Sequence, residues 1–299
     1  MELPDSIYKQ ALDNALDMIM ITKANFDDVG NSPIVYINKA FCQTMEYTQE
    51  EIIGQSPRIF QGEKTAMEAR DKIRNALNNL QPVQTEILNY TKTGRECWLE
   101  LSIVPLVNEH QEVTHYLSIE RDLSEKKAIE QKLYRDATID SLSQLSNRQH
   151  FMTLSEQELH KSRRYKTKSC VLMMDIDHFK RVNDQYGHQI GDEVIRDTGQ
   201  IIQSSSRDAD ICGRIGGEEF AAFLPETSTE EAQNVAERIR KSMEEHSWSH
   251  YGIQGNITLS IGLSEFRADD TFEILIKRAD DALYQAKSSG RNRTVTNNP

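Results

Sequence analysis

Apolar and polar residues follow two different patterns along the chain, and the change comes near residue 125. The first half mixes segments of helical composition with short apolar segments typical of strands. The predicted elements are, in order, an amphipathic segment at 7–16, strands at 18–22 and 33–37, and helices at 39–47 and 66–80. This half is therefore predicted to be a mixed α and β domain.

Three segments with strict alternation complete the first half, at residues 83–90, 97–104 and 113–119. Alternation with a period of two predicts half-buried antiparallel strands. The residues that share one face are Cys97, Leu99, Leu101 and Ile103 in the second segment, and Val113, His115, Leu117 and Ile119 in the third. Turns are predicted at Thr93-Gly94 and at residues 108–111, so the segments form a continuous antiparallel sheet.

A polar segment without Gly or Pro, residues 123–139, connects the two halves and predicts a helix. Ile129, Leu133 and Ala137 recur at four-residue intervals and would form a narrow apolar seam between two copies of the helix. The segment holds fewer than three clean heptads, so a solvated linker helix remains the alternative.

From Asp140 onward, helices and strands alternate, and carboxylates follow a buried strand. Residues 170–174 are a continuous apolar run, which predicts a strand buried on both faces. The run ends in Asp175-Ile176-Asp177, so it delivers acidic groups to the edge of a sheet, where ligands commonly bind. A helix is predicted from about Asp192 to Ser204.

A second acidic pair lies in a predicted hairpin. Two apolar segments, 211–215 and 220–224, flank Gly216-Gly217-Glu218-Glu219, and a Gly-Gly pair predicts a tight turn. Neighbouring residues of a strand point to opposite faces, so one glutamate can join Asp175 around a metal ion while the other faces elsewhere. Oxygen ligands of this kind suit Mg²⁺.

Charge and composition narrow the possible functions. The chain of 299 residues carries 47 acidic and 35 basic side chains, a net charge of −12. Residues 1–125 hold 20 acidic and 11 basic side chains, so most of the negative charge lies there. This balance argues against DNA as a partner but leaves nucleotides possible, because a metal ion can supply positive charge locally.

The spacing of the cysteines and the hydropathy of the chain indicate the cellular compartment. Cys42, Cys97, Cys170 and Cys212 are widely separated, which predicts reduced thiols with no zinc site or disulfide framework. Apolar runs are too short for a membrane span, and the first ten residues do not resemble a signal peptide. We therefore expect a cytoplasmic protein that does not enter a membrane.

The order of elements in the first half resembles PAS sensor domains. The segment VYINKAFCQTMEYTQEEIIGQSPRIFQG is similar to PAS sequences, including the flavin-binding LOV branch, and RDLSE resembles the exit of the domain. Pro57 stands where LOV domains carry the reactive cysteine. Asn89 fits the LOV pattern, but Leu99 and Glu120 replace amides, so we do not expect flavin. The resemblance implies a domain that dimerises or binds a small ligand of unknown identity.

The second half closely resembles the GGDEF family of diguanylate cyclases. The matching motifs are GGEEF, the preceding DIDHFKRVNDQYGHQIGD, the following ADDALYQAKSSGRN and the opening DSLSQLSNR, in which Ser143 and Gln144 replace Thr and Gly. The resemblance implies an α/β (α+β) chain: a PAS domain at 1–125, a connecting helix at 126–139 and a ferredoxin-like, palm-related catalytic domain at 140–299. It also implies that two GTP molecules are condensed into cyclic di-GMP with release of two pyrophosphates.

The resemblance assigns site residues by motif. Asp175, the Ile176 carbonyl and Glu218 would hold Mg²⁺ or Mn²⁺, and Glu219 is either a further ligand or the base for the 3′-hydroxyl. Groups around GTP would be Asn183 and Asp192 at the guanine edge, the backbone of His178, Phe179, Gly216 and Gly217, the charges of Lys180, Lys287 and Arg291, and the ring of His188. For His188, a structural role is an equal alternative.

A motif of the form RxxD, Arg207 to Asp210, precedes GGEEF at the spacing of the family's inhibitory product site. An arginine fork matches guanine O6 and N7, and a carboxylate accepts from its N1 and N2 edge. The alternative is a local ion pair on a turn.

Since the product is twofold symmetric, the resemblance implies a homodimer through the PAS domain and connecting helix. Two other readings stay open: a catalytically silent module that senses GTP or cyclic di-GMP, and an interaction scaffold that uses the PAS surface.

Overall fold

The computed structural model describes residues 4–297; residues 1–3 and 298–299 of the predicted domains lie outside this range. The chain divides into two compact units at Lys132 and Leu133. Within the described range, no helix combines the length and apolar character that a membrane crossing requires.

The first unit is a five-stranded antiparallel sheet with short helices. Its elements are α1 (Asp5–Asp13), β1 (Met18–Lys23), β2 (Ile34–Ile37), α2 (Lys39–Met45), α3 (Gln49–Ile52), α4 (Met67–Asn78), β3 (Val83–Tyr90), β4 (Glu96–Val107) and β5 (Val113–Asp122). The strand order is β2-β1-β5-β4-β3, and each neighbouring pair is antiparallel. All five strands lie where the sequence pattern predicts them.

The inner face of β5 differs from the one that its apolar residues indicate. Tyr116, Ser118 and Glu120 are buried, whereas Ile119 on the opposite face is 41% exposed. The buried polar groups contact a cavity in the unit rather than a packed apolar layer. Apolar alternation therefore identified the strand but indicated the wrong side of it.

Helix α5 (Ser124–Thr138) follows β5 and connects the units. Ile129 and Leu133 are 51% and 63% exposed, and Ala137 is also exposed. The helix thus presents its predicted seam residues to solvent.

The second unit is an α/β domain. Its elements are α6 (Arg148–Tyr165), β6 (Ser169–Ile176), α7 (Phe179–Tyr186), α8 (His188–Ser204), β7 (Ile211–Gly216), β8 (Glu219–Pro225), α9 (Thr229–Glu245), β9 (Leu259–Glu265), α10 (Phe272–Ser288) and β10 (Thr294–Asn297). The strands lie in the order β10-β9-β6-β8-β7 across the sheet. If β10 is set aside and the other four are numbered by their order along the chain, the order is 4-1-3-2. These four strands are antiparallel to one another, which is the ferredoxin-like arrangement, and β10 joins the edge of the sheet parallel to β9.

Strand β6 is the centre of this unit because every one of its residues is buried. One set of its side chains, which includes Leu172 and Met174, packs with α8 and α9. Val171 and Met173 point the other way and pack with α6 and α10. The prediction of a strand buried on both faces is therefore confirmed, and the strand's end is rigidly placed.

The helical region after β6 is larger than predicted. Helix α8 begins at His188 rather than near Asp192, and α7 precedes it as a separate helix. Gly187, whose φ is +85°, separates the two helices. The many polar residues and glycines of this segment obscured its helical pattern in the sequence.

Candidate active site

Carboxylates converge where β6 and β8 lie side by side. Asp175 is directly opposite Glu219 in the β6–β8 ladder, so their side chains start from one face of the sheet. The Ile176 N–H donates to the Glu218 carbonyl oxygen over 3.2 Å, which fastens the hairpin to the end of β6. The fold thus brings Asp175, Glu218 and Glu219 together.

The hairpin turn is shifted by one residue from the prediction. Gly216 pairs with Glu219 and ends β7, so the two turn residues are Gly217 and Glu218 rather than Gly216 and Gly217. Gly217 takes a φ of +33°, which a side chain would strain. Because Glu218 lies in the turn and not in a strand, the alternation of strand side chains does not direct it to the face opposite that of Glu219. The negative charges of both carboxylates raise the pKa of Asp175.

Asp175 is 8% exposed and has a strongly altered acidity. Burial raises the pKa of Asp175 to about 6, the Lys287 ammonium opposes this, and the charges of Glu218 and Glu219 raise it further. Lys287 Nζ lies 2.8 Å from Asp175 Oδ2. Three acidic groups with one facing lysine leave an excess of negative charge, so this set of oxygen donors fits a hard divalent cation.

Asp177, the second acid of the strand end, serves a different purpose. Its carboxylate accepts hydrogen bonds from Thr258 Oγ1 at 2.7 Å, Ser260 Oγ at 2.6 Å and the Asn292 N–H at 3.0 Å. These bonds join the end of β6 to β9 and to the segment after α10. Asp177 therefore stabilises the site and is not available as a ligand.

Helices α7 and α8 follow β6 and pack closely against each other. Gly191 lies against the amide of Asn183 and the ring of Phe179, where a Cβ atom would have no room. Asp192, at the next position of α8, is exposed. The two predicted guanine contacts thus lie on two helices that are in direct contact at Gly191.

The remaining predicted GTP contacts differ in how exposed they are. His178 precedes α7 with a φ of +58° and is exposed, Phe179 is buried, and Lys180 and His188 are exposed. Arg291 is half-buried after α10, and its N–H donates to the Ala286 carbonyl over 3.0 Å. Lys287, by contrast, pairs with Asp175 and is not free for phosphate in this state.

Arg207 and Asp210 form a turn after the end of α8. The Arg207 N–H donates to Asp210 Oδ2 at 2.8 Å, so Asp210 bonds the backbone and does not form the local ion pair considered above. Among residues 4–297, no partner is found for the guanidinium of Arg207, which is exposed. The turn is separated from Asp192 by about 18 Å of helix.

Arg214 is a site residue that sequence reasoning missed. Its Nε donates to the Gly217 carbonyl over 2.9 Å, and its Nη1 lies 3.1 Å from Asp140 Oδ1. Asp140 also accepts from the Ser143 N–H, so it anchors the loop that follows α5. Arg214 therefore connects the domain's opening motif to the GGEEF turn. A basic residue two positions before the Gly-Gly pair was the available signal.

The first unit encloses a cavity of about 110 Å³. Glu120 lies on its wall and accepts a hydrogen bond from Ser118 Oγ at 2.9 Å. Burial raises the pKa of Glu120 to about 7. Asn89 also lines the cavity, and its Oδ1 is buried without a hydrogen-bond partner in the described part of the chain. Leu99 is fully buried in the core and does not line the cavity.

Known proteins resemble both units. Residues 137–293 match the family described as "Diguanylate cyclase, GGDEF domain", and residues 16–125 match the family "PAS domain". Diguanylate cyclase A of Treponema denticola is 42% identical over 168 residues, which cover 55% of this chain and 45% of that protein. The probable diguanylate cyclase DgcT of Escherichia coli is 42% identical, over 52% of this chain and 35% of its own length. The chain thus spans less than half of these relatives.

Solved structures of GGDEF domains resemble the second unit. The coiled coil and GGDEF domain of DgcB from Caulobacter crescentus, in complex with c-di-GMP, has a TM-score of 0.54 and 30% identity, covering 58% of this chain and 93% of that one. The active GGEEF domain of a diguanylate cyclase from Vibrio cholerae has a TM-score of 0.50 and 36% identity, covering 52% and 99%. The GGDEF match spans more than half of the chain, so this protein belongs to the GGDEF family and carries a PAS domain before its GGDEF domain.

Proposed function

We propose that this chain is a diguanylate cyclase, which condenses two GTP molecules into cyclic di-GMP and releases two pyrophosphates. The observation that carries the proposal is the convergence of Asp175, Glu218 and Glu219 at the end of β6. Relatives named as diguanylate cyclases share the domain at 42% identity. A domain that only bound nucleotide would not require this acidic set.

Asp175, the Ile176 carbonyl and Glu218 would hold Mg²⁺ or Mn²⁺. When bound, the cation supplies charge neutralisation at the α-phosphate and leaving pyrophosphate, and it lowers the pKa of the attacking hydroxyl. Glu219 would accept the proton of the 3′-hydroxyl or act as a further ligand. Catalysis of this kind consists of positioning and electrostatic stabilisation, so the rigid end of β6 is its main structural requirement.

Asn183 and Asp192 would select guanine. A carboxylate accepts from guanine N1–H and N2–H₂, and an amide can pair with N3 and N2. Backbone N–H groups at His178 and Phe179 would bind phosphate, with Lys180 and Arg291 as counter-charges. Gly216 and Gly217 would let the hairpin backbone approach the nucleotide, and His188 at the start of α8 would line the nucleotide site.

Product symmetry requires two catalytic domains that face each other. We propose a homodimer through the PAS domain and α5, because Ile129, Leu133 and Ala137 form an exposed apolar row on that helix. A small ligand in the PAS cavity would change the populations of two arrangements of the dimer. Product bound at Arg207 and Asp210 would inhibit turnover.

Substrate selection gives a direct test of the proposed site. The full chain with Mg²⁺ should convert GTP but not ATP, with two pyrophosphates released for each cyclic di-GMP. Asp192→Asn should lower kcat/KM for GTP about tenfold to a hundredfold, because it removes a charged hydrogen-bond acceptor. Asp184→Asn, at an exposed position of α7, is the matched control and should retain full activity. If GTP is bound but no product forms, the protein is a sensing module instead.

A further inference from the structure

A cluster of potential metal ligands lies outside the acidic site, where α8 meets the segment that follows α9. Asp197 belongs to α8, His246 directly follows α9, and His250 lies in the short 3-10 helix Ser249–Tyr251. One ligand atom from each residue lies within 4.8 Å of the other two. Asp197 Oδ2 is 3.2 Å from His246 Nε2 and 3.9 Å from His250 Nε2. Three elements thus direct donor atoms towards one point.

These separations are close to those of a coordination sphere. A metal ion about 2.0–2.1 Å from each donor, with tetrahedral angles, places its ligand atoms about 3.4 Å apart. The distances from Asp197 Oδ2 to the two imidazole nitrogens, 3.2 and 3.9 Å, lie on either side of this value, and all three ligand atoms lie within 4.8 Å of one another. Histidines four residues apart also have a spacing typical of zinc ligands. Two imidazoles and one carboxylate suit Zn²⁺ better than Mg²⁺, which prefers oxygen ligands.

The surroundings hold the two imidazole rings in place. The His246 ring packs edge-on against buried Trp248, with centroids 4.4 Å apart, and the His250 ring lies 3.8 Å from that of Tyr251. The Asp197 side chain is 12% exposed, whereas those of His246 and His250 are 31% and 52% exposed. The donors are therefore partly preorganised, and one side of the cluster is open to an ion and to water.

We propose that Asp197, His246 and His250 bind a Zn²⁺ ion, with a remaining coordination position taken by water. Such an ion would join α8 to the segment after α9. That segment also contacts α7, because the Gln254 N–H donates to Tyr186 Oη over 3.3 Å. The ion would thus stabilise the packing of α7 and α8, which carry Asn183 and Asp192, and it would raise the unfolding temperature by an amount that grows with the logarithm of the Zn²⁺ concentration divided by Kd.

Metal titration of the full-length chain tests this site. After chelator treatment, the protein is titrated with Co²⁺ and then Zn²⁺ in excess Mg²⁺, which occupies the acidic cluster. We expect the visible absorption of one Co²⁺ with nitrogen ligands, its displacement by one equivalent of Zn²⁺, and an unfolding temperature that rises with Zn²⁺ concentration. His250→Gln should weaken binding at least about tenfold and remove the thermal shift.

Two further variants make the result specific. His160→Gln changes an exposed histidine of α6 and should bind Zn²⁺ like the wild type, while His246→Gln should behave like His250→Gln. If His246→Gln does not fold, the half-exposed His250 position decides the question alone. Equal affinity in wild type and His250→Gln, or no binding by the wild type, would overturn the proposal and leave a hydrogen-bonded histidine–aspartate cluster.

Discussion

Lys287 Nζ on α10 lies 2.8 Å from Asp175 Oδ2 at the end of β6. The two residues are far apart in the sequence, and the fold makes them an ion pair whose acidic member also faces Glu218 and Glu219. The lysine therefore neutralises part of the acidic cluster when no cation is bound. A divalent metal ion would replace the lysine as the positive charge beside Asp175. The lysine side chain would then be free to move towards phosphate.

Removal of this lysine should make the protein depend on metal for stability. In Lys287→Met, the free energy of unfolding without Mg²⁺ should fall by about 1–2 kcal/mol, because a mostly buried carboxylate loses its partner. Added Mg²⁺ should raise the unfolding temperature more in this variant than in the wild type. Lys277→Met, at an exposed position of the same helix, is the control. Identical thermal unfolding of both variants would refute a neutralising role for Lys287.

Feedback by product should depend on the free guanidinium of Arg207. Arg207→Ala should raise the concentration of cyclic di-GMP needed for half-inhibition about tenfold or more, because a bidentate contact to guanine is lost. Turnover without product should stay unchanged, since the turn lies at the far end of α8 from Asp192. Initial rates over a range of added cyclic di-GMP measure both quantities. Arg164→Ala on α6 is the control, and loss of turnover in Arg207→Ala would show that the motif has another role.

Dimerisation should depend on the exposed apolar row of α5. Leu133→Lys introduces two like charges across the proposed seam and should raise the dimer dissociation constant at least about tenfold. Sedimentation velocity over a range of concentrations measures this constant. Gln131→Lys adds the same charge to an exposed position away from the row and should have little effect. If both variants dimerise as the wild type does, α5 is a solvated linker.

Stability of the PAS domain should fall as the pH rises through 7. The folded state raises the pKa of Glu120 from 4.5 to about 7, so between these values the folded protein binds the proton more tightly than the unfolded chain does. The favourable contribution is complete below about pH 4.5 and is lost above about pH 7, with a total of about 3 kcal/mol. The Glu120→Gln variant keeps the neutral form at every pH.

Hydrogen exchange measures this effect within the domain. At pH 8, Glu120→Gln should increase protection of amides in β5 by up to about a hundredfold, and at pH 5 the two proteins should be alike. Glu109→Gln in an exposed turn is the control. Equal protection of wild type and Glu120→Gln at pH 8 would show that Glu120 titrates normally.

Local pattern predicted most of the fold but not the contacts between distant segments. Strand β6 was evident because a strand buried on both faces needs an unbroken apolar run. The inner face of β5 was not, since Ser118 and Glu120 are polar and border a cavity. The resemblance of motifs identified Asp175, Glu218 and Glu219. It could not predict the ion pair of Lys287 with Asp175, which depends on how α10 packs. The hydrogen bonds that Asp177 accepts from Ser260 and Thr258 likewise depend on the order of the strands.

Formation of cyclic di-GMP by a pair of matched glutamate variants tests the central claim most directly. Purified wild type, Glu219→Gln and Glu226→Gln are incubated with GTP and Mg²⁺, and the product is quantified by chromatography; Glu226 is exposed just beyond β8. We predict that wild type and Glu226→Gln form cyclic di-GMP at equal rates and that Glu219→Gln is at least about a hundredfold slower. Absence of cyclic di-GMP from the wild type at concentrations where it is dimeric would contradict the account.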